Sequence, residues 1–197
     1  MIPAALKLEE HLPATITYPG LSDAEFRAIC ANFPDSMVEY SSDGTIIIMP
    51  PTDPETGDRC SLIDRRLGNW ADQTKRGLVT GPDAGFRFLN GARLSPDASW
   101  RDAERWKEAR KSGKKYPVFA PEFVIELRSP EDKLSALRDK MEDYIDGGVQ
   151  LAWLIDPIKR QVHIYRPGSA PETLSDPATI TADGPVAGFV LDLAGIF

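Results

Sequence analysis

The segment PEFVIELRSP, residues 121–130, constrains the fold of this chain more than any other, because it places one acid inside an otherwise apolar run. A short apolar run that is bounded by prolines is typical of a buried β-strand. An ionised carboxylate inside such a strand is unfavourable unless it is paired or binds a cation. We therefore expect Glu126 to lie on a buried strand and to have a charged partner or a metal ion.

Three segments have the apolar spacing of amphipathic helices. The first lies between Ser22, which can form a capping box with Glu25, and Pro34. The second runs from about Gly57 to Lys75. The third covers residues 129–148, where Ser129 precedes an acidic first turn, two glycines end the helix, and one apolar stripe contains Leu134, Leu137, Met141 and Tyr144.

Strand patterns occupy much of the remaining chain. Residues 36–51 contain two β-rich runs around Asp43-Gly44, which predicts a hairpin because glycine tolerates the positive φ of such turns. Further strands are predicted at 77–82, 85–90, 97–100, 149–156, 160–167 and, as a docking strand, 186–193. His163 alternates with apolar neighbours, so we expect it to face outward. Without an internal repeat or a linker, the pattern predicts one α/β domain over residues 1–197.

Composition narrows the classes of function. The chain is 42% hydrophobic and 27% charged, as in ordinary globular proteins. Its formal net charge of −7 argues against strong non-specific binding of nucleic acid, which needs several basic residues to neutralise phosphates. Residues 101–116 nevertheless carry seven basic and three acidic side chains. We expect a solvated helix and loop there, with phosphate contact as the alternative.

Cysteine usage and hydropathy indicate a protein of the cytoplasm. Cys30 and Cys60 are too few for a disulfide framework and lack zinc-ligand spacing. The first fourteen residues lack the basic start and continuous apolar run of a signal peptide. No stretch approaches the roughly 20 apolar residues that cross a bilayer. We therefore expect a soluble, cytoplasmic protein without a membrane partner.

Two carboxylates are the first candidates for chemistry. Asp97 begins a short β-type run, and Glu126 interrupts a buried one. If the two converge, they suit a hard divalent cation such as Mg²⁺, which prefers oxygen ligands. The backbone carbonyl of Leu127 is a candidate third ligand. Such a metal lowers the pKa of water and offsets charge on a scissile phosphate.

A cation that positions water or stabilises charge would complete such a site. Arg128 lies two residues after Glu126, so strand alternation predicts that it shares the same face. Lys140 is the other candidate, from the following helix. Arg cannot readily lose its proton, whereas a buried Lys can have a lowered pKa, so Lys140 is favoured if a proton must be transferred.

Several segments together resemble a known family. Pro96-Asp97, 28 intervening residues and Glu126-Leu127-Arg128 are similar to the PD-(D/E)XK nuclease signature with Arg in the Lys position. The wider resemblance is to the Uma-type family of putative restriction endonucleases, formerly a domain of unknown function. It is carried by VEYSSDGTIIIMPPT, GFRFLNGARLSPDASW, PEFVIELRSPEDKLSALRDKMEDYIDGGVQLAWLIDP and VHIYRPG.

The resemblance implies a restriction-endonuclease-like fold, with a mixed central sheet flanked by helices and an N-terminal helix and hairpin. It implies a Mg²⁺ or Mn²⁺ site at Asp97 and Glu126, a motif lysine that has moved to Lys140, and a supporting acid at Glu39. The implied activity is hydrolysis of DNA phosphodiester bonds. Cutting both strands of a duplex is simplest for a homodimer. Because Arg128 replaces the motif lysine, the identity of the catalytic cation stays open between Arg128 and Lys140.

Simpler roles compete with each assignment. Asp97 follows a proline and can serve only a turn, and Glu126 can be a structural ion-pair partner. Lys140 has acidic neighbours and can be a solvated surface residue, while Glu39 can be an exposed strand residue. The corresponding alternative for the whole chain is a non-catalytic binding or assembly module that retains the nuclease fold. The acidic balance and the missing E-x-K lysine favour that alternative.

Overall fold

A computed structural model describes residues 12–197, so most of the N-terminal segment that bears on a signal peptide lies outside the described residues. The described chain contains four α-helices, and none of them is long and apolar enough to cross a membrane. Their bounds are α1 (Asp23–Asn32), α2 (Pro54–Thr74), α3 (Ala103–Arg110) and α4 (Leu134–Asp146).

The larger sheet has six strands in the order β11-β10-β9-β8-β7-β4. Strands β8 and β9 are parallel and α4 connects them, whereas the other neighbouring pairs are antiparallel. The sheet is therefore mixed, as expected. Its strands are β4 (Leu78–Thr80), β7 (Ala98–Arg101), β8 (Phe123–Leu127), β9 (Leu151–Asp156), β10 (Gln161–Tyr165) and β11 (Glu172–Ser175).

A second sheet of five antiparallel strands, in the order β1-β3-β2-β6-β5, contains the predicted hairpin. The hairpin pairs β2 with β3 around Gly44, whose φ is 92°. The strands are β1 (Ala14–Thr17), β2 (Met37–Tyr40), β3 (Thr45–Met49), β5 (Phe86–Arg87) and β6 (Arg93–Leu94). A separate C-terminal pair consists of β12 (Thr179–Thr181) and β13 (Val190–Asp192), which lies within the predicted docking strand.

Helices cover both faces of the larger sheet, and β8 shows how. Phe123, Ile125 and Leu127 belong to the apolar cluster that includes α2 and the C-terminal strands. Val124 belongs to the opposite cluster, which includes Met141 and Tyr144 of α4. Because side chains alternate along a strand, this register turns Glu126 toward α4.

Two helices begin at residues other than those predicted from the sequence. Helix α2 begins at Pro54 because Asp53 caps it through the Glu55 and Thr56 N–H groups. Helix α4 begins only at Leu134, with Lys133 at its N-cap. The predicted start at Ser129 was wrong, since the Ser129 N–H donates to Asp132 in a turn that precedes the helix.

Two strand expectations also needed correction. The strand predicted over residues 85–90 ends at Arg87, because Phe88 begins a turn in which the Gly91 N–H donates to its carbonyl. His163 is 3% exposed rather than outward-facing, because α4 covers that face of β10. Its Nδ1 lies 2.8 Å from the Thr173 hydroxyl, and burial lowers the pKa of its imidazole.

Candidate active site

The carboxylate of Glu126 is held from both sides by helix α4. Tyr144 donates its hydroxyl hydrogen to Oε1 at 2.6 Å, and the ammonium of Lys140 lies 3.0 Å from Oε2. Lys140 and Tyr144 are four residues apart, so one face of the helix presents both. Glu126 is only 3% exposed. The charged partner that we expected for the buried carboxylate of Glu126 is therefore Lys140.

Glu39 reaches the same ammonium group from the hairpin. Its Oε1 lies 3.0 Å from Lys140 Nζ and accepts a 2.7 Å hydrogen bond from the Ser95 N–H. The neighbours Val38 and Tyr40 belong to the apolar cluster of α1 and the second sheet, so alternation along β2 sends Glu39 to the opposite side. Glu39 is 1% exposed, which contradicts its reading as an exposed strand residue.

Asp97 reaches the site from the position immediately before strand β7. Strands β7 and β8 pair with Ala98 opposite Ile125, which brings Asp97 beside the end of β8. The Leu127 N–H donates to Asp97 Oδ2 at 2.7 Å. Asp97 therefore does more than make a turn, and the backbone of Leu127 lies next to its carboxylate.

Helix α2 adds two residues that sequence reasoning did not single out for the site. Cys60 and Asp64 lie one turn apart on the helix, and both are close enough to Asp97 for its negative charge to raise their pKa values. Burial is the larger cause, and together the two effects raise the pKa of Asp64 to about 6. Gly81 makes room for this carboxylate, since a Cβ there would overlap Asp64 Oδ2.

Glu39 and Glu126 contact one ammonium group, and Asp97 is near enough to feel its charge, so negative charge exceeds positive charge in this cluster whenever all three carboxyls are ionised. Burial, reinforced by the neighbouring carboxylates, holds the pKa values of Asp97 and Glu126 above their usual range. Burial alone would lower the pKa of Lys140, but the charges of Glu126, Glu39 and Asp97 outweigh it and raise that pKa. The argument that burial can lower a lysine pKa therefore does not apply to Lys140, whose carboxylate neighbours favour the ammonium form.

The donor set fits a hard divalent cation in charge and in chemistry. All the candidate ligands are oxygens, and their excess negative charge is what such a cation would balance. Asp64 Oδ1, near Asp97, is buried and accepts no hydrogen bond from residues 12–197. Across that same part of the chain, no three His, Cys, Asp or Glu side chains are grouped closely enough to enclose a metal, and Lys140 lies between Glu39 and Glu126.

Arg128 lies outside this cluster. Its guanidinium donates to Asp156 Oδ2 at 2.8 Å and to the Asp132 carbonyl at 3.3 Å. The alternation argument predicted the face of Glu126 for Arg128; beyond the end of β8 at Leu127, however, its guanidinium is held by Asp156 at the end of β9 and not by Glu126. Asp156 is fully buried at the end of β9, and Arg128 supplies its counter-charge.

Tyr144 was assigned to the apolar stripe of α4, and its bond to Glu126 was missed. The spacing from Lys140 was the available signal, because residues i and i+4 share a helix face. Ser95 gave no such signal, since it acts through its backbone N–H. Cys60 and Asp64 could not be found without knowing which face of α2 meets Asp97.

Comparisons with known proteins agree with this architecture. A family model described as putative restriction endonuclease, Uma2, matches residues 23–194. A similar solved structure is a putative nuclease of DUF820 from Anabaena variabilis ATCC 29413, with 21% sequence identity and a TM-score of 0.68. That similarity covers 81% of this chain and 89% of the other, and at this identity it concerns the fold alone. The search of curated proteins gave no match.

The family match extends over Glu39, Asp97, Glu126 and Lys140 and over all four helices. The overall fold is likewise similar to that of the Anabaena protein. This chain therefore belongs to the Uma2 family of putative restriction endonucleases.

Proposed function

We propose that this protein is a divalent-metal-dependent endonuclease that hydrolyses phosphodiester bonds of DNA at a PD-(D/E)XK-type site. The observation that carries the proposal is that Glu39 and Glu126 contact Lys140 from separate elements, while Asp97 binds the Leu127 N–H and lies near enough to Lys140 and Glu39 for their charges to affect its pKa. Three buried or half-buried carboxylates around one lysine are expensive to assemble for stability alone, because each charge loses its hydration. Membership of a family of putative restriction endonucleases supports the same reaction class.

Asp97 and Glu126 would hold Mg²⁺ or Mn²⁺, with the backbone carbonyl of Leu127 as a third ligand. The cation would acidify a water molecule and offset negative charge on the scissile phosphate. Lys140, which stays protonated, donates hydrogen bonds that orient the attacking water and stabilise charge in the transition state. Glu39 positions Lys140, and Tyr144 fixes the orientation of the Glu126 carboxylate. Arg128 takes no part, because Asp156 holds its guanidinium.

The proposed enzyme acts as a homodimer. Two sites related by a two-fold axis can address the two antiparallel strands of a duplex symmetrically. Sedimentation measurements on the purified protein test this part, and a monomer that cuts both strands would contradict it.

A second candidate is a non-catalytic binding or assembly module. The observation in its favour is that both oxygens of Glu126 are already engaged within the protein, by Tyr144 and Lys140. A carboxylate oxygen has two lone pairs, so these bonds leave room for a cation, but they also describe a closed structural cluster.

Metal binding separates the two candidates. Glu126→Gln keeps the shape of the side chain and removes its charge, so we expect calorimetry to show loss of Mg²⁺ binding while thermal melting shows a folded protein. Asp176→Asn, at a surface position paired with Arg160, is the matched control and should bind like the parent. Unchanged Mg²⁺ affinity in Glu126→Gln would contradict the site.

Cleavage tests the activity itself. Supercoiled plasmid incubated with Mg²⁺ or Mn²⁺ should be nicked by the parent protein. Asp97→Asn should abolish nicking, because it keeps an acceptor for the Leu127 N–H but loses the charge. A folded parent protein that binds metal and never cuts supports the non-catalytic module.

A further inference from the structure

The segment from α3 to Lys115 is a concentration of positive charge in an acidic chain. Residues 101–115 contain seven basic and three acidic side chains, although the whole chain has a formal charge of −7. The active-site carboxylates do not account for these cations. The function of these basic residues therefore needs a separate explanation.

Four of the seven cations are engaged by the protein itself. The ammonium group of Lys107 lies 3.4 Å from the Glu104 carboxylate, and that of Lys111 lies 2.5 Å from the Glu108 carboxylate. The buried Glu122 holds Arg105, while Arg101 contacts the Thr80 hydroxyl and lies over the Trp106 ring at 4.8 Å.

The other three cations, Arg110, Lys114 and Lys115, are exposed and have no carboxylate partner within the chain from residue 12 onward. Together with Trp106 and Gly113 they line one surface pocket whose walls contain no acidic side chain. We call Arg110, Lys114 and Lys115 the basic surface. Clustered cations without counter-charges attract a polyanion, and an arginine can bind one phosphate through two hydrogen bonds.

Strand β8 fixes the first turn of α3, the helix that leads to the basic surface, relative to the active site. Glu122, just before β8, accepts a 2.8 Å hydrogen bond from the Asp102 N–H at the start of α3, and it also holds Arg105. Glu126 lies near the other end of the same strand. Asp97 and Asp102 likewise flank β7, so about 17 Å of extended chain separates the site from the beginning of α3.

We infer that the basic surface binds backbone phosphates of duplex DNA that lie beyond the cleavage site. The inference rests on the proposed function and adds a second contact region to it. A length of about 17 Å corresponds to roughly five base-pair steps at 3.4 Å each. The basic surface starts further along the chain, at Arg110 at the end of α3, and it contacts phosphates other than the scissile one without sequence preference.

The test measures binding separately from cleavage. Fluorescence anisotropy would follow a labelled duplex of about three helical turns, in Ca²⁺ instead of Mg²⁺, over a range of salt concentrations. Lys114→Ala/Lys115→Ala should weaken binding about tenfold. It should also reduce the slope of log Kd against log salt by about 2, because two phosphate contacts are lost. Arg27→Ala/Lys159→Ala removes the same charge from α1 and from the β9–β10 turn, and it should change neither quantity more than about twofold.

Equal effects of the two double variants would overturn the inference, and so would a parent protein that does not bind the duplex. Thermal melting confirms that both variants are folded. With Mg²⁺, the Lys114→Ala/Lys115→Ala variant should raise the KM for plasmid nicking and leave kcat within about twofold. If nicking is absent in every protein but the binding difference persists, the proposed activity fails and the basic surface stands.

Discussion

The ammonium group of Lys140 lies 3.0 Å from Glu126 Oε2, and the two side chains are 13% and 4% exposed, respectively. The same ammonium is 3.0 Å from Glu39 Oε1, so one cation serves two carboxylates that come from different sheets. This arrangement joins the hairpin, β8 and α4 at a single point. It makes the candidate active site part of the structural core as well.

Replacing Lys140 with Met should remove activity and also destabilise the fold. The change leaves Glu39 and Glu126 buried without a counter-charge, and breaking a buried ion pair typically costs about 3–5 kcal/mol. Urea unfolding measures this loss. In the double variant Lys140→Met/Glu126→Gln the loss should be smaller than the sum of the single losses, because one of the unpaired charges is gone. Additive losses would show that the two groups are not coupled.

Replacing Tyr144 with Phe should leave Glu126 Oε1 buried with one hydrogen bond fewer. We expect a loss of about 1–3 kcal/mol in the free energy of unfolding, the usual range when a buried acceptor loses its partner. Tyr165→Phe is the matched control, since its hydroxyl has no hydrogen-bond partner among residues 12–197. A Tyr144→Phe protein as stable as the control would mean that the 2.6 Å bond contributes nothing to folding.

Replacing Arg128 with Met should affect stability and spare the metal site. The buried Asp156 carboxylate loses its counter-charge, so we expect a loss of about 3 kcal/mol or more. Calorimetric Mg²⁺ affinity should stay within about twofold of the parent at a temperature where the variant is folded. Loss of plasmid nicking by a fully stable Arg128→Met protein would instead restore Arg128 as the catalytic cation.

Replacing Asp64 with Asn should stabilise the metal-free protein at alkaline pH. Burial and the charge of Asp97 raise the folded-state pKa of Asp64 to about 6, whereas an unfolded Asp titrates near 3.9. The ionised group therefore costs stability at pH values above about 6, and this cost disappears as the pH falls below about 4.

We expect Asp64→Asn to gain about 1 kcal/mol at pH 8 and nothing at pH 4, allowing for partial solvent screening. Urea unfolding in EDTA measures both values, and Asp72→Asn, at an exposed position of the same helix, controls for the change in charge. A gain of the same size at both pH values would rule out titration of Asp64 as its cause.

Local patterns predicted the parts of the fold that depend on neighbouring residues. The capping box of Ser22 and Glu25 forms as expected, and the hairpin turns at Gly44. The apolar run around Glu126 is a buried strand, and Leu137, Met141 and Tyr144 form the buried stripe of α4. Each of these features arises from the period of a helix or a strand, or from a turn whose backbone conformation needs glycine.

The sequence by itself determined that Glu126 would be buried and would need a counter-charge, because no charged group is stable alone in an apolar strand. Only the tertiary structure decided which cation meets it. Lys140 and Arg128 were both candidates from the sequence, but α4 packs with Lys140 toward Glu126, while the register of β8 and β9 places Arg128 beside Asp156. The register between two strands and the face by which a helix contacts them depend on how the whole sheet assembles. Segments that are distant in sequence therefore determine which cation meets Glu126.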